Sequence, residues 1–153
     1  MFQPRYDQYP HVATAAPGAQ AKAVTTAEGN SEMAVILVVE GDVFIREMAE
    51  TMILGWGRQI LSACDVPEAL THLRSPQHID ALFTDVNLRG EIHGGCDMAR
   101  QAILLRPGLR VLYTTASRDP EKMHARFAAG THFLSKPYTE HQLGSSVQSL
   151  LAA

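Results

Sequence analysis

Four short apolar runs in this chain each end at a polar or charged residue. Such runs are typical of strands buried in a parallel sheet, because both faces of that sheet are covered. In an open parallel sheet, ligands bind at the carboxyl ends of the strands. The residues that end the four runs are, in chain order, Glu40, Asp85, Thr115 and Lys136. We therefore expect two carboxylates, a hydroxyl and an ammonium at one edge of a sheet, a set that can hold a phosphoryl group.

From Ala34 onward, predicted strands alternate with segments of helical periodicity. The first helix is predicted from about Asp42 to Leu54, with Asp42 as its N-cap. The predicted strands are Val35–Val39, Gln59–Ala63, Asp80–Asp85, Arg110–Thr114 and His132–Ser135; the later helices begin near Asp65, Cys96, Asp119 and Thr139, and Gly130 ends the fourth. This alternation predicts an α/β fold, a doubly wound five-stranded parallel sheet with five helices on its two faces.

The length and composition of the chain suit a single domain preceded by a tail. The chain has 153 residues, of which 46% are apolar and 19% are charged. Residues 1–32 are rich in Ala, Gln, Thr, Pro and Gly and lack apolar periodicity, so we interpret them as a disordered leader. Residues 33–153 form the predicted domain. Met33 stands just before the first strand, so translation could start at Met1 or at Met33.

Charge and hydropathy argue against several classes of function. A formal net charge of -3 gives no basic field for nucleic acid, so direct nucleic-acid binding is not expected. No apolar stretch approaches the roughly 20 residues of a membrane span, and the N-terminus lacks the pattern of a secretory signal. Cys64 and Cys96 are too few and too far apart for a disulfide framework or a zinc site. We predict two reduced thiols in a cytoplasmic protein.

Several short motifs, in order and at the predicted strand ends, resemble the receiver domain of two-component response regulators. The resemblance covers roughly Ala34 to Leu151. Its motifs are Val38-Val39-Glu40, Phe83-Thr84-Asp85-Val86-Asn87, Thr114-Thr115-Ala116, Ala128-Ala129-Gly130 and Phe133-Leu134-Ser135-Lys136-Pro137. The resemblance implies a single-domain, CheY-like receiver with the flavodoxin-like strand order 2-1-3-4-5.

The resemblance implies that Asp85 is a phosphoacceptor, phosphorylated by a histidine kinase or a histidine phosphotransfer protein. An aspartate nucleophile would form an acyl phosphate. Lys136 would pair with Asp85 and then with a phosphoryl oxygen. The Thr115 hydroxyl, the Ala116 backbone N–H and Asn87 would also contact the phosphoryl group. A protein of this kind is not an enzyme, apart from its own phosphorylation and dephosphorylation.

The resemblance also implies a Mg²⁺ site, from which this sequence departs. The expected ligands are Asp85 and the backbone carbonyl of Asn87, together with an acidic pair after the first strand. The chain reads Glu40-Gly41-Asp42, so the position of the usual direct ligand is occupied by glycine. Either Asp42 substitutes for the missing ligand, or Asp42 caps the helix and Mg²⁺ binds more weakly. We favour weaker binding, because a shift of one residue at a helix start re-aims a side chain by about 100°.

The resemblance assigns a switch and an output surface. Thr115 and Phe133 occupy the positions of the coupled hydroxyl and aromatic ring, although Phe133 as an ordinary core residue explains the sequence equally well. Pro137 is the candidate cis-proline that aims Lys136 at the site. The expected partner surface is the face around the fourth helix, the fifth strand and the fifth helix, which could contact a downstream protein or a second copy.

Two functions remain open from the sequence. The first is a stand-alone receiver that signals when phosphorylated, and the second is a receiver-like adaptor that binds partners without phosphorylation, a hypothesis that rests on Gly41. Phosphatases of the haloacid dehalogenase type place a second Asp two residues after the first, where this chain has Asn87, so we reject that class of enzyme.

The loop from Leu88 to Gly95 is about one residue longer than usual, and Glu91 or His93 in it could contact a partner or simply be solvated.

Overall fold

The computed structural model describes residues 33–88, 91–119, 121–128 and 130–153. The predicted leader, residues 1–32, lies outside the described residues. The strands are β1 (Val35–Val39), β2 (Gln59–Ala63), β3 (Ala81–Asp85), β4 (Arg110–Thr115) and β5 (His132–Ser135). They form one parallel sheet in the order β2-β1-β3-β4-β5, which confirms the predicted fold class and strand order.

The register of the sheet brings the carboxyl ends of the strands to one edge. Asp85 at the end of β3 pairs with Thr114, and Thr115 at the end of β4 pairs with Ser135. β1 ends level with β3, since Val39 pairs with Thr84. The residues that end the four apolar runs therefore lie at or just after the ends of neighbouring strands, at the same edge.

The helical segments are four α-helices and one 3₁₀ helix among the described residues. The α-helices are α1 (Val43–Gly55), α2 (Val66–Arg74), α3 (Gly94–Leu105) and α4 (Glu140–Ala152). Asp42 caps α1, Asp65 caps α2 and Thr139 caps α4, each through its side chain, as the sequence predicts. None of these helices is long and apolar enough to cross a membrane.

The fourth helical segment is shorter than the sequence predicts. It is a 3₁₀ helix of six residues, Glu121–Arg126, and does not continue to Gly130. Met123 is the one residue of the six with a buried side chain. Because the segment offers so small an apolar face, little packing energy is available to hold a longer α-helix against the sheet.

Alternation along the strands builds a core on each face of the sheet. Leu37 and Val39 of β1 face one core, which is closed by apolar residues of α2 and α3. Ile36 and Val38 face the other core, which is closed by α1 and α4. Val86 and Leu88, just after β3, belong to the first core, and Tyr138, just after β5, belongs to the second, so packed apolar residues adjoin the polar residues at the carboxyl edge.

Asp80 ties the start of β3 to the start of β1. Its Oδ2 accepts a hydrogen bond from the Val35 backbone N–H at 2.8 Å, and its Oδ1 lies 2.9 Å from His78 Nε2. Burial alone would raise the pKa of Asp80, but the hydrogen bonds from Val35 and His78 outweigh it and hold the pKa below 3.8.

Asp80→Asn should lower the free energy of unfolding at neutral pH by about 1–2 kcal/mol, because one charged acceptor serves two donors. A depressed pKa stabilises the fold above 3.8, and that contribution is lost as the pH falls through the folded-state pKa. The difference in unfolding free energy between the variant and the wild-type protein should therefore become smaller at acid pH. Urea denaturation at neutral and acid pH measures it, with Asp97→Asn, an exposed carboxylate on α3, as control. Equal losses in the two variants would contradict the role of Asp80.

Candidate functional site

Three charged side chains meet at the carboxyl edge of the sheet. The Lys136 ammonium lies 2.6 Å from Glu40 Oε2 and 3.1 Å from Asp85 Oδ2. The three side chains are only 12%, 3% and 13% exposed, respectively. The ammonium therefore offsets the repulsion between two largely buried carboxylates.

Glu40 is held firmly at the end of β1. Its Oε1 accepts a hydrogen bond from the Asp42 backbone N–H at 3.0 Å, while Oε2 accepts from Lys136. Its backbone carbonyl accepts from Arg46 Nη1 at 2.8 Å. Both carboxylate oxygens are thus engaged within the protein. Arg46 was not singled out from the sequence, although its place in the first turns of α1 puts it within reach of the end of β1.

Asp85 is placed by the end of β3 and by a close approach of α3. Asn87 donates its backbone N–H to Asp85 Oδ1 at 3.3 Å, and Gly95 donates its backbone N–H to the Val86 carbonyl at 3.0 Å. A Cβ at Gly95 would lie 1.8 Å from the Asp85 carbonyl oxygen, so this contact requires glycine. Burial raises the pKa of Asp85, and Glu40 adds to that rise, while Lys136 opposes it.

Lys136 and Thr115 are joined through the backbone where β4 and β5 end. The Lys136 N–H donates to the Thr115 carbonyl at 2.9 Å, and the Lys136–Pro137 peptide bond is cis, the isomer that the resemblance implies. The Thr115 side chain is fully buried, and its Oγ1 accepts the Ser117 backbone N–H at 3.1 Å. Ala116 follows Thr115 at the same edge and is exposed.

Asp42 serves the helix rather than the pocket. Its Oδ1 accepts the backbone N–H groups of Phe44 at 2.9 Å and Ile45 at 3.1 Å. This is the capping alternative left open by the sequence, and it counts against Asp42 as a substitute for the ligand missing at Gly41. The proposed metal ligands and phosphoryl-binding groups otherwise stay predictions.

An open pocket of about 460 Å³ lies beside these residues. Its lining residues are Glu40, Gly41, Asp42, Asp85, Asn87, Leu88, Glu91 and Ile92. The polar groups that line it are carboxylates and an asparagine, and oxygen donors of this kind suit Mg²⁺, which usually keeps several of its waters. The donor chemistry therefore fits Mg²⁺, with one acidic side chain fewer because position 41 is glycine.

Phe133 belongs to a stack of three aromatic rings. Its ring lies 5.7 Å from that of Phe127, which in turn lies 4.5 Å from the ring of Tyr113 on β4. The sequence motifs point to Phe133 but not to Phe127, which follows a segment that the sequence predicts as a regular helix and that is a 3₁₀ helix in the structure. The stack connects the segment after the 3₁₀ helix to β4 and β5, which end at Thr115 and Ser135.

Comparison with known proteins identifies the family. Residues 36–148 match the model of the response regulator receiver domain. The chain belongs to this family. The receiver domain expected from the sequence motifs is thereby confirmed, and with it a general role in two-component phosphorelay signalling.

Solved receiver structures share the fold over most of the chain. A response regulator receiver protein from Sinorhizobium medicae WSM419 is 23% identical with a TM-score of 0.73, covering 80% of this chain and 97% of the other. The chemotaxis response regulator CheY4 of Vibrio cholerae is 25% identical with a TM-score of 0.69, covering 78% and 99%. The receiver domain of the hybrid histidine kinase CckA is 25% identical with a TM-score of 0.65, covering 77% and 99%. No curated protein matches the chain.

Proposed function

We propose that this receiver accepts a phosphoryl group on Asp85 from a histidine kinase or a histidine phosphotransfer protein. The observation that carries the proposal is the position of the Lys136 ammonium, 3.1 Å from Asp85 Oδ2 and 2.6 Å from Glu40 Oε2. A cation at this place can neutralise the acceptor carboxylate before transfer and a phosphoryl oxygen after it.

In this reaction a carboxylate oxygen of Asp85 attacks the phosphorus atom of a phosphohistidine. The P–O bond to Asp85 forms as the P–N bond breaks, and the histidine leaves with the bonding electrons. Lys136 then moves its contact from Asp85 to a phosphoryl oxygen. The Thr115 hydroxyl, which accepts from Ser117 in this structure, turns to donate to a second phosphoryl oxygen, and the Ala116 N–H donates to it as well.

Mg²⁺, when bound, would supply positive charge next to the phosphoryl oxygens. Asp85 and the Asn87 carbonyl would hold it directly, and Glu40 would hold it through water. Asp42 is a less suitable ligand because its Oδ1 caps α1.

The proposed output is a change in protein–protein contacts on the face formed by the 3₁₀ helix, β5 and α4. Phe133 of β5 is half-buried there, so a turn of the Thr115 hydroxyl could be transmitted to the surface by packing alone. We further propose that the protein signals as a stand-alone receiver in the cytoplasm, binds a downstream protein and can dimerise. The proposal includes neither enzymatic turnover of another molecule nor binding of nucleic acid.

A second candidate function is a receiver-like adaptor that binds its partners without phosphorylation. The observations that favour it are Gly41 at the usual ligand position and the capping role of Asp42. With one acidic ligand fewer, Mg²⁺ binding and phosphorylation could both be too weak for signalling.

Treatment with acetyl phosphate or phosphoramidate should give one phosphoryl adduct on the wild-type protein, dependent on Mg²⁺. Asp85→Asn should show none, since an amide cannot serve as the nucleophile. Intact mass spectrometry, with and without Mg²⁺, measures the adduct, and Asp97→Asn is the control for loss of an exposed carboxylate.

Two results would change the proposal. An adduct that persists in Asp85→Asn would refute the assignment of the acceptor. The absence of any adduct on the wild-type protein at millimolar Mg²⁺ would favour the adaptor.

A further inference from the structure

The connection between β3 and α3 brings a further carboxylate to the pocket where Gly41 has none. Glu91 lines the same pocket as Gly41, Asp85 and Asn87. It belongs to the loop that the receiver resemblance implies is about one residue longer than usual. This connection thus brings an acidic side chain to the pocket in which position 41 lacks one.

The backbone of Glu91 is anchored on both sides. Its N–H donates to the Leu88 carbonyl at 2.9 Å, its carbonyl accepts from the Gly94 N–H at 3.1 Å, and it forms an isolated β-bridge with Leu88. Leu88 is buried at 3% exposure and ties this turn to the core. Glu91 therefore enters the pocket from a defined backbone position.

The next turn is shaped around the Glu91 side chain. A Cβ on Gly94 would lie 2.7 Å from the Cβ of Glu91 and 3.0 Å from its Oε2. The start of α3 can pass this close to Glu91 only because position 94 is glycine. The Glu91 carboxylate accordingly lies against the N-terminal turn of α3, immediately before the Gly95 contact with Asp85.

Glu40 and Asp42, the other acidic side chains that line the pocket beside Asp85, are held by hydrogen bonds within the protein. Both oxygens of Glu40 accept hydrogen bonds within the protein, and Asp42 Oδ1 accepts two from α1. For a hard cation bound to Asp85, Glu91 is therefore the acidic side chain, among the described residues that line this pocket, that is neither paired with Lys136 nor the cap of a helix.

We infer that Glu91 supplies, directly or through a water molecule, the carboxylate toward Mg²⁺ that Gly41 cannot supply. This inference rests on the proposed phosphoacceptor function and deepens it, because it explains how metal-dependent transfer can persist in a receiver without the usual acidic pair.

The direct test is Mg²⁺ binding by isothermal titration calorimetry, with no phosphoryl donor present. Glu91→Gln should weaken Mg²⁺ binding by about tenfold, the scale observed when a group that supports a metal site is removed. Glu47→Gln, an exposed glutamate on α1 outside this pocket, removes the same charge and should bind Mg²⁺ within about twofold of wild type. Equal effects of the two substitutions would overturn the inference.

A second background makes the test specific to the missing ligand. Gly41→Asp restores the acidic pair and should tighten Mg²⁺ binding. In a protein that carries Gly41→Asp, the further substitution Glu91→Gln should weaken Mg²⁺ binding only about twofold. A tenfold loss in both backgrounds would mean that Glu91 does not replace the group absent at position 41. Far-UV circular dichroism checks that each variant is folded, and the comparison of Glu91→Gln with Glu47→Gln stands without the second background.

The result separates this inference from the proposed function. If the wild-type protein forms a Mg²⁺-dependent adduct while Glu91→Gln and Glu47→Gln bind the ion equally, only the role of Glu91 is refuted. If the wild-type protein neither binds millimolar Mg²⁺ nor forms an adduct, both proposals fail and the adaptor is favoured.

Discussion

Lys136→Met should lower the free energy of unfolding at neutral pH by about 3–5 kcal/mol, the usual cost of removing one partner from a buried ion pair. Methionine keeps an unbranched apolar stem like that of lysine but lacks the terminal ammonium. The Glu40 and Asp85 side chains, only 3% and 13% exposed, would then face each other without a cation. Chemical denaturation of the wild-type and variant proteins measures the difference.

The loss of unfolding free energy caused by Lys136→Met should depend on pH. Burial raises the pKa of Asp85, and Lys136 is the strongest influence that lowers it, so removal of Lys136 raises that pKa further. A carboxyl group with a raised folded-state pKa costs stability above that pKa, and the cost disappears below the unfolded-state value of 3.8. The deficit relative to wild type should therefore shrink as the pH falls toward about 4.

Lys122→Met provides the matched control for a lost ammonium. Lys122 forms an ion pair with Asp119 at 2.6 Å, but its side chain is 85% exposed, so solvent screens the interaction. We expect the Lys122→Met protein to have almost the same free energy of unfolding as the wild-type protein. Two results would contradict a role of the Lys136 ammonium in holding the two carboxylates. One is a similar loss of unfolding free energy in Lys136→Met and Lys122→Met, and the other is a loss in Lys136→Met that grows as the pH falls.

The position of the site could be predicted from the sequence because it depends on strand ends. Each of the four apolar runs becomes a strand, of which β1, β3 and β4 are largely buried and β5 is partly exposed, and parallel pairing brings their carboxyl ends together whatever the details of the helices. Glu40, Asp85, Thr115 and Lys136 therefore converge in the structure as predicted from their places in the chain. The cis bond before Pro137 was implied by the family motif and not by its residue types.

The sequence could not decide features that depend on competition between nearby groups. Asp42 could have capped α1 or faced the pocket, and only the hydrogen bonds from Phe44 and Ile45 distinguish the two roles. The 3₁₀ helix was expected to be a longer helix, since periodicity does not reveal how little apolar surface the segment buries. Glu91 had two possible environments, because a loop residue carries no periodic signal of where its backbone turns.

Gly95→Ala should be among the most damaging single-methyl additions in the domain. The new Cβ would lie 1.8 Å from the Asp85 carbonyl oxygen and 3.0 Å from that of Val86, both backbone atoms at the end of β3. To relieve this overlap, either α3 must move away from the sheet or the end of β3 must shift. We expect the free energy of unfolding to fall by about 3 kcal/mol or more, at the upper end of the range for overpacked cores.

The same substitution should also impair phosphorylation beyond its effect on stability. A displacement of about 1 Å at a reacting group can reduce a rate about a hundredfold, and Gly95 touches the residue proposed as the acceptor. Rates of adduct formation, measured under conditions where the variant remains folded, test this point. Gly55→Ala is the control, because no atom other than those of its chain neighbours and its own helix backbone lies within 4 Å of its Cβ position, and alanine favours the helix by about 0.5–1 kcal/mol. A Gly95→Ala protein that is as stable and as reactive as Gly55→Ala would show that α3 does not position Asp85.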